Sequence, residues 1–70
     1  MDKLTFGKVI KQRRDMLRIS QEELSDISKV GIKTIYAIEQ GKGNPSLDTL
    51  IKVLDVLGME LEVNIKKSLS

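Results

Sequence analysis

The stretch Ile19-Ser20-Gln21-Glu22-Glu23-Leu24 leaves this chain the least conformational freedom. A serine followed three residues later by a glutamate forms a reciprocal capping box. The hydroxyl accepts from the Glu23 backbone N–H, and the carboxylate reaches back to that of Ser20. Ile19 and Leu24 hold the flanking positions of a hydrophobic staple, so a helix starts at Gln21. It must be short, because Ser28-Lys29-Val30-Gly31 interrupts it before Ile32 to Gln40 resumes helical spacing with Ile35 and Ile38 inward. Gly31 serves as the next N-cap, and Gly41 closes that helix.

The same reading extends to both sides. Thr5 to Leu17 places Phe6, Val9, Ile10, Met16 and Leu17 at helical spacing, with basic residues on the remaining arc. Gly41-Lys42-Gly43-Asn44-Pro45-Ser46 reads as a loop and lacks the Gly-Lys-Ser/Thr ending of a phosphate-cradling Walker loop. Ser46 caps a fourth helix, Leu47 to Leu57, whose apolar face is Leu47, Leu50, Ile51, Leu54 and Leu57, closed by Gly58. Val53 and Val56 lie beyond that face. The period then becomes two: Met59, Leu61, Val63 and Ile65 alternate with polar residues, as in a strand. No second strand is legible, and a solitary strand leaves its backbone groups unpaired, so its simplest partner is its own copy across a two-fold axis. Val53, Val56, Met59, Leu61, Val63 and Ile65 are therefore expected at a homodimer interface. The expected fold is all-α: one domain over residues 1–70, with a four-helix core (5–57) and a short C-terminal strand (59–66) pairing across the dimer.

Composition narrows the function. The 70 residues include no cysteine and no histidine, which removes disulfides, zinc sites built on those residues, and nucleophile–histidine catalysis. Glu22, Glu23, Asp26, Asp48 and Asp55 suit caps and solvated helix faces, with no base or nucleophile beside them, so an enzyme is not expected, nor any metal or cofactor. Apolar runs are too short for a membrane span or a signal core, which points to a soluble cytoplasmic protein. Phe6 and Tyr36 are the only aromatic residues, too few for a platform that stacks single-stranded bases. Net charge is +2, yet residues 1 to 20 hold six bases (Lys3, Lys8, Lys11, Arg13, Arg14, Arg18) against Asp2 and Asp15. That excess fits a polyanion-facing patch and a solvated helix face equally well.

Two short helices joined by a tight turn form a helix-turn-helix pattern. Through Ile10-Lys11-Gln12-Arg13-Arg14, Ile19 to Leu24, Thr34-Ile35, Ile38-Glu39-Gln40-Gly41-Lys42 and Asn44-Pro45-Ser46-Leu47, residues 6–57 resemble the Cro/repressor (XRE-type) DNA-binding family. The segment Leu50 to Glu62 resembles a narrower branch, the Hip-class antitoxin/autorepressor subunits, in which the final strand pairs between protomers. The resemblance implies a repressor or autorepressor that binds a palindromic operator in double-stranded DNA as a homodimer. The alternative is an antitoxin-type module that neutralises a partner toxin, with DNA binding secondary; the five residues after Ile65 offer little to hold such a partner.

A recognition helix presents its N-terminal residues to base edges in the major groove. With Ile35 and Ile38 inward, Ile32, Lys33, Tyr36 and Ala37 are the base-reading candidates. Lys33 can donate to guanine, Ile32 and Ala37 can touch a thymine methyl, and Tyr36 either contacts DNA or rests half-buried at the helix edge. The family sets the glutamine matching Gln21 against the DNA backbone, at a helix N-terminus that favours phosphate. Thr34, Lys42 and Asn44 follow as phosphate-gripping candidates. The resemblance also implies a largely buried ion pair between Arg14 and Glu39. The chain departs from the family in the turn, where Lys29 replaces the usual Gly and Gly31 the usual Ser or Thr; this leaves the recognition-helix register open by one residue.

Overall fold

The computed structural model describes residues 1–67, and its elements are four helices: α1 Lys3–Met16, α2 Gln21–Ser28, α3 Ile32–Glu39 and α4 Leu47–Val56. Three starts are capped by a side chain. Asp2 accepts from the Thr5 N–H at 2.8 Å, Ser46 from Thr49 at 3.1 Å, and Ser20 from Glu23 at 3.0 Å while Glu23 Oε1 accepts from the Ser20 N–H at 2.9 Å. α1 begins at Lys3, two residues before the expected start at Thr5, because the capping carboxylate of Asp2 sets its first turn. Gly31 opens α3 with no side-chain cap.

Three helix ends share one device. The chain turns left-handed one residue past the cap, and the next two N–H groups return to the last turn, as in the Schellman motif. Gly41 and Lys42 bond to Ile38 and Ala37, Gly58 and Met59 to Asp55 and Leu54, Arg18 and Ile19 to Asp15 and Arg14. Glycine supplies the positive φ at 41 and 58, whereas Arg18 adopts +58° itself. Lys29, the C-cap of α2, likewise takes φ +65°. The helix-turn-helix turn therefore keeps its left-handed corner without glycine, and α3 starts at Ile32, which fixes the register left open above.

Ile10, Leu24, Val30, Ile35, Ile38, Val53, Leu54 and Leu57 make up the core, with Phe6, Ile19, Leu50, Val56 and Met59 packed against it. α1 lies across α3 and α2 packs on both α3 and α4. The α1–α3 crossing is close: a Cβ on Gly7 would stand 2.7 Å from the carbonyl oxygen of Glu39, so only glycine fits there.

α4 is rotated from the expected orientation. Its inward stripe is Leu50, Val53, Leu54 and Leu57, leaving Leu47 and Ile51 exposed. Val53, assigned above to a dimer interface, is 1% exposed and belongs to the protomer's own core. Val56 is half-buried against that core, as is Met59. Met16 and Leu17, placed with the apolar positions of the first helix by spacing, are exposed, because the stripe that α1 buries is Gly7, Ile10 and Arg14. Beyond Met59, the described residues 60–67 are all exposed, and among the described residues there is no strand. No helix among them is long and apolar enough to cross a membrane.

Candidate nucleic-acid interface

α3 divides sharply by burial. Ile35, Ile38 and Glu39 are buried, and this fixes what the opposite side presents. Ile32 and Tyr36 are 41% and 55% exposed, Lys33 is exposed, and Thr34 and Ala37 are half-buried. Three base-reading candidates thus stand in solvent on the first and second turns. Ala37 shows only part of its methyl, which lies near Gly43 of the following loop. The Tyr36 ring is on the open side rather than tucked at the helix edge.

Beneath α3 lies a charged anchor. The Arg14 guanidinium donates to Glu39 through Nε to Oε2 at 2.8 Å and through Nη2 to Oε1 at 2.9 Å, and a third donor, Nη1, meets the Ile19 carbonyl at 2.9 Å. Arg14 is 9% and Glu39 4% exposed. The hydrogen bond to Glu39 holds the Arg14 pKa above its ordinary range. Gln21 completes the group: its amide nitrogen donates to Glu39 Oε1 at 3.1 Å. That bond ties the N-terminus of α2 to the last turn of α3. Gln21 is half-buried, so a phosphate arriving there would meet its remaining amide proton and the first-turn N–H groups rather than a free side chain.

The loop after α3 holds the other candidates. Lys42 and Asn44 are both exposed, close to the C-terminal end of α3. Neither Lys33 nor Lys42 enters an ion pair among the described residues, so both retain an uncompensated charge at the surface. Lys3 is a functional candidate that spacing arguments miss. Its ammonium donates to Gly43 O and Asn44 Oδ1, each at 2.6 Å, which brings a further cation to this loop. The only signal in the sequence is the basic excess of the first twenty residues. The tail residues Leu61, Val63 and Ile65 stand apart from all of these, 43%, 100% and 89% exposed.

The arrangement offers one exposed helix face with apolar and cationic groups, flanked by donors at the start of α2 and on the loop after α3. Such a face can contact base edges and phosphates together.

Known proteins share this architecture. The helix-turn-helix family description matches residues 10–64. A helix-turn-helix-type transcriptional regulatory protein of Methanococcus maripaludis is 44% identical over 55 residues, covering 79% of this chain but 17% of that protein. A transcriptional regulator of the same type from Haemophilus influenzae is 44% identical over 50 residues, 71% of this chain and 51% of its own length. The chain thus spans only a part of these relatives. The crystal structure of the restriction-modification controller protein C.AhdI from Aeromonas hydrophila superimposes with a TM-score of 0.77 at 28% identity, covering 81% of this chain and 86% of that one. With its family description matched from the middle of α1 into the tail, the chain belongs to the helix-turn-helix family.

Proposed function

We propose that the chain is a sequence-specific regulator of transcription, a repressor or autorepressor acting in the cytoplasm, that binds a palindromic operator in double-stranded DNA as a homodimer. The observation that carries this reading is the division of α3: Ile35, Ile38 and Glu39 are locked inside while Ile32, Lys33 and Tyr36 project from its first two turns. In the groove, Lys33 donates to guanine O6 or N7, and Ile32 and the edge of Ala37 meet thymine methyls. Tyr36 directs its hydroxyl toward the groove wall. Gln21, Thr34, Lys42 and Asn44 hold phosphates and set the depth and angle of the helix. The absence of an Arg, Asn or Gln on this face, where bidentate pairing would be made, shifts part of the specificity to apolar contact and DNA shape.

The relatives' names support the regulatory reading, and the tail supports the dimer. Leu61, Val63 and Ile65 alternate with polar residues, and among the described residues Val63 and Ile65 are left almost wholly exposed and Leu61 nearly half so. Two such segments paired across a two-fold axis would satisfy each other's backbone groups and resemble the Hip-class arrangement. The same exposed side chains would also suit a partner toxin.

Selection of duplexes from a randomised pool, followed by the mass of the protein in solution with and without the selected DNA, tests both parts. An inverted repeat with half-sites one turn apart, about 34 Å, and a dimer mass are expected. Failure to enrich any duplex, with the exposed tail still drawing the chain onto a second protein, would transfer the function to protein neutralisation.

A further inference from the structure

The loop between α3 and α4 carries two of the proposed phosphate ligands, and it is held from the opposite end of the chain. Gly41 turns at φ +72°, and a Cβ there would stand 2.8 Å from the Cα of Leu4, so the first turn of α1 lies directly against the loop. From that turn Lys3 reaches across to the Gly43 carbonyl and to Asn44 Oδ1, both at 2.6 Å. An ammonium has three donors and no acceptor, so it can face only the oxygen end of a carboxamide. The amide nitrogen of Asn44 is thereby turned away from Lys3, with its protons taken by no acceptor among the described residues. A carboxamide turned the other way would meet a phosphate with its oxygen, and two acceptors repel.

The structure assigns to Lys3 the positioning of Asn44. By holding the carboxamide oxygen, Lys3 makes the loop present N–H donors to a nucleic-acid phosphate, and the second bond, to Gly43, holds the backbone on which Asn44 is carried. This assignment rests on the DNA-binding reading above. Lys3 acts through Asn44 and does not itself touch the phosphate.

Binding of a duplex selected with the wild-type chain tests it, using Lys3→Met, Lys3→Arg, Asn44→Ala and the double variant Lys3→Met/Asn44→Ala. Lys3→Met and Asn44→Ala should each weaken a half-site by about ten- to a hundredfold, the scale of one hydrogen bond to a charged group. Lys3→Arg, which keeps the donors, should restore most of the loss. The double variant should bind no more weakly than Asn44→Ala alone, because the two residues act in series. Thermal melts of Lys3→Met and wild type should coincide, and the salt dependence of Lys3→Met should match that of wild type. Losses that multiply in the double variant, a melt shift large enough to explain the affinity change, or a salt slope reduced by about one, which would put Lys3 itself on a phosphate, would each overturn the assignment. A wild-type chain that selects no duplex overturns the DNA-binding reading and the assignment with it; a wild type that binds, with independent losses, overturns the assignment alone.

Discussion

The Arg14 guanidinium and the Glu39 carboxylate meet at two points, 2.8 and 2.9 Å, across 25 residues of chain, with the carboxylate 4% exposed. The pair joins α1 to the last turn of α3. Removing one partner strands the other in the interior, at a cost of about 3 to 5 kcal/mol. Small domains hold only about 5 to 15 kcal/mol in total, so Arg14→Met should remove a large share of the stability, read as a much lower midpoint in urea titration. The double change Arg14→Met/Glu39→Leu should recover much of that loss, since no buried charge remains. A single variant that melts within about 1 kcal/mol of wild type would show that the pair is not the anchor described here.

Lys29 presents the opposite case, a residue whose replacement should help. It caps α2 at φ +65° with its side chain exposed. A residue with a Cβ pays about 1 to 2 kcal/mol for that conformation, while glycine gives back about 0.5 to 1 kcal/mol in unfolded-state entropy. Lys29→Gly should therefore gain up to about 1 kcal/mol, seen as a higher midpoint in thermal denaturation. Arg18→Gly, at φ +58°, should move the same way and add independently. A lower midpoint for both would mean that their side chains contribute more than their backbone strain costs.

These two positions mark one boundary of what the residues disclose by themselves. Ser20 with Glu23, and Gly41 and Gly58 beyond their helices, are local signals, and the elements they bound can be read from a few neighbours. Arg18 and Lys29 carry left-handed corners with no compositional mark. On α4, Leu47-Leu50-Ile51-Leu54-Leu57 and Leu50-Val53-Leu54-Leu57 both have helical spacing, and only packing against α2 selects the second, which draws Val53 inside. The outward side of α3 follows once Ile35 and Ile38 are inside. The bonds from Lys3 to Asn44, 41 residues apart, and from Gln21 to Glu39, 18 apart, depend on the completed fold and have no local signature.

Acid should loosen α1 first at its N-terminus. The Thr5 backbone N–H holds the Asp2 carboxyl below its usual range, and Lys11 does the same for Asp15. A folded-state pKa lowered in this way contributes stability that is present in full above the unfolded value of about 3.9 and is lost as pH falls through the folded value. The midpoint difference between wild type and Asp2→Asn should thus be constant from pH 7 to about pH 5 and shrink below pH 4. A difference that grows on acidification would reverse the sign assigned to the cap. Both carboxyls are exposed, so the effect should also diminish with added salt.

The tail can be tested without disturbing the fold. Val63 is 100% and Ile65 89% exposed, so Val63→Lys/Ile65→Lys removes nothing from the protomer's core. Helical circular dichroism should be unchanged while sedimentation shows a monomer at micromolar concentration. Operator affinity should drop by more than about tenfold, because each half-site then binds alone. A dimer that survives both changes would move the interface elsewhere, to the exposed Leu47 and Ile51 of α4 for instance.

Lys33 and Lys42 distinguish reading from gripping. Both are exposed and unpaired in ions among the described residues, so replacing either by alanine should leave the melt unaltered. Their effects on DNA should differ in kind. Lys33 lies in the first turn of α3, where a base edge is within reach; Lys33→Ala should relax preference at one base position by about 1 to 3 kcal/mol and leave other positions alone. Lys42 is in the exposed loop after α3, where the proposed docking would set it against the duplex backbone. Lys42→Ala should weaken every sequence alike and lower the slope of log affinity against log salt by about one, since one fewer counterion is released per half-site. Binding measured on the selected duplex, on single-base variants of it and on an unrelated duplex, at several salt concentrations, separates the two. Should both variants change the slope while neither alters base preference, α3 would be lying along the phosphates rather than in the groove, and the base-reading role of its exposed face would be withdrawn.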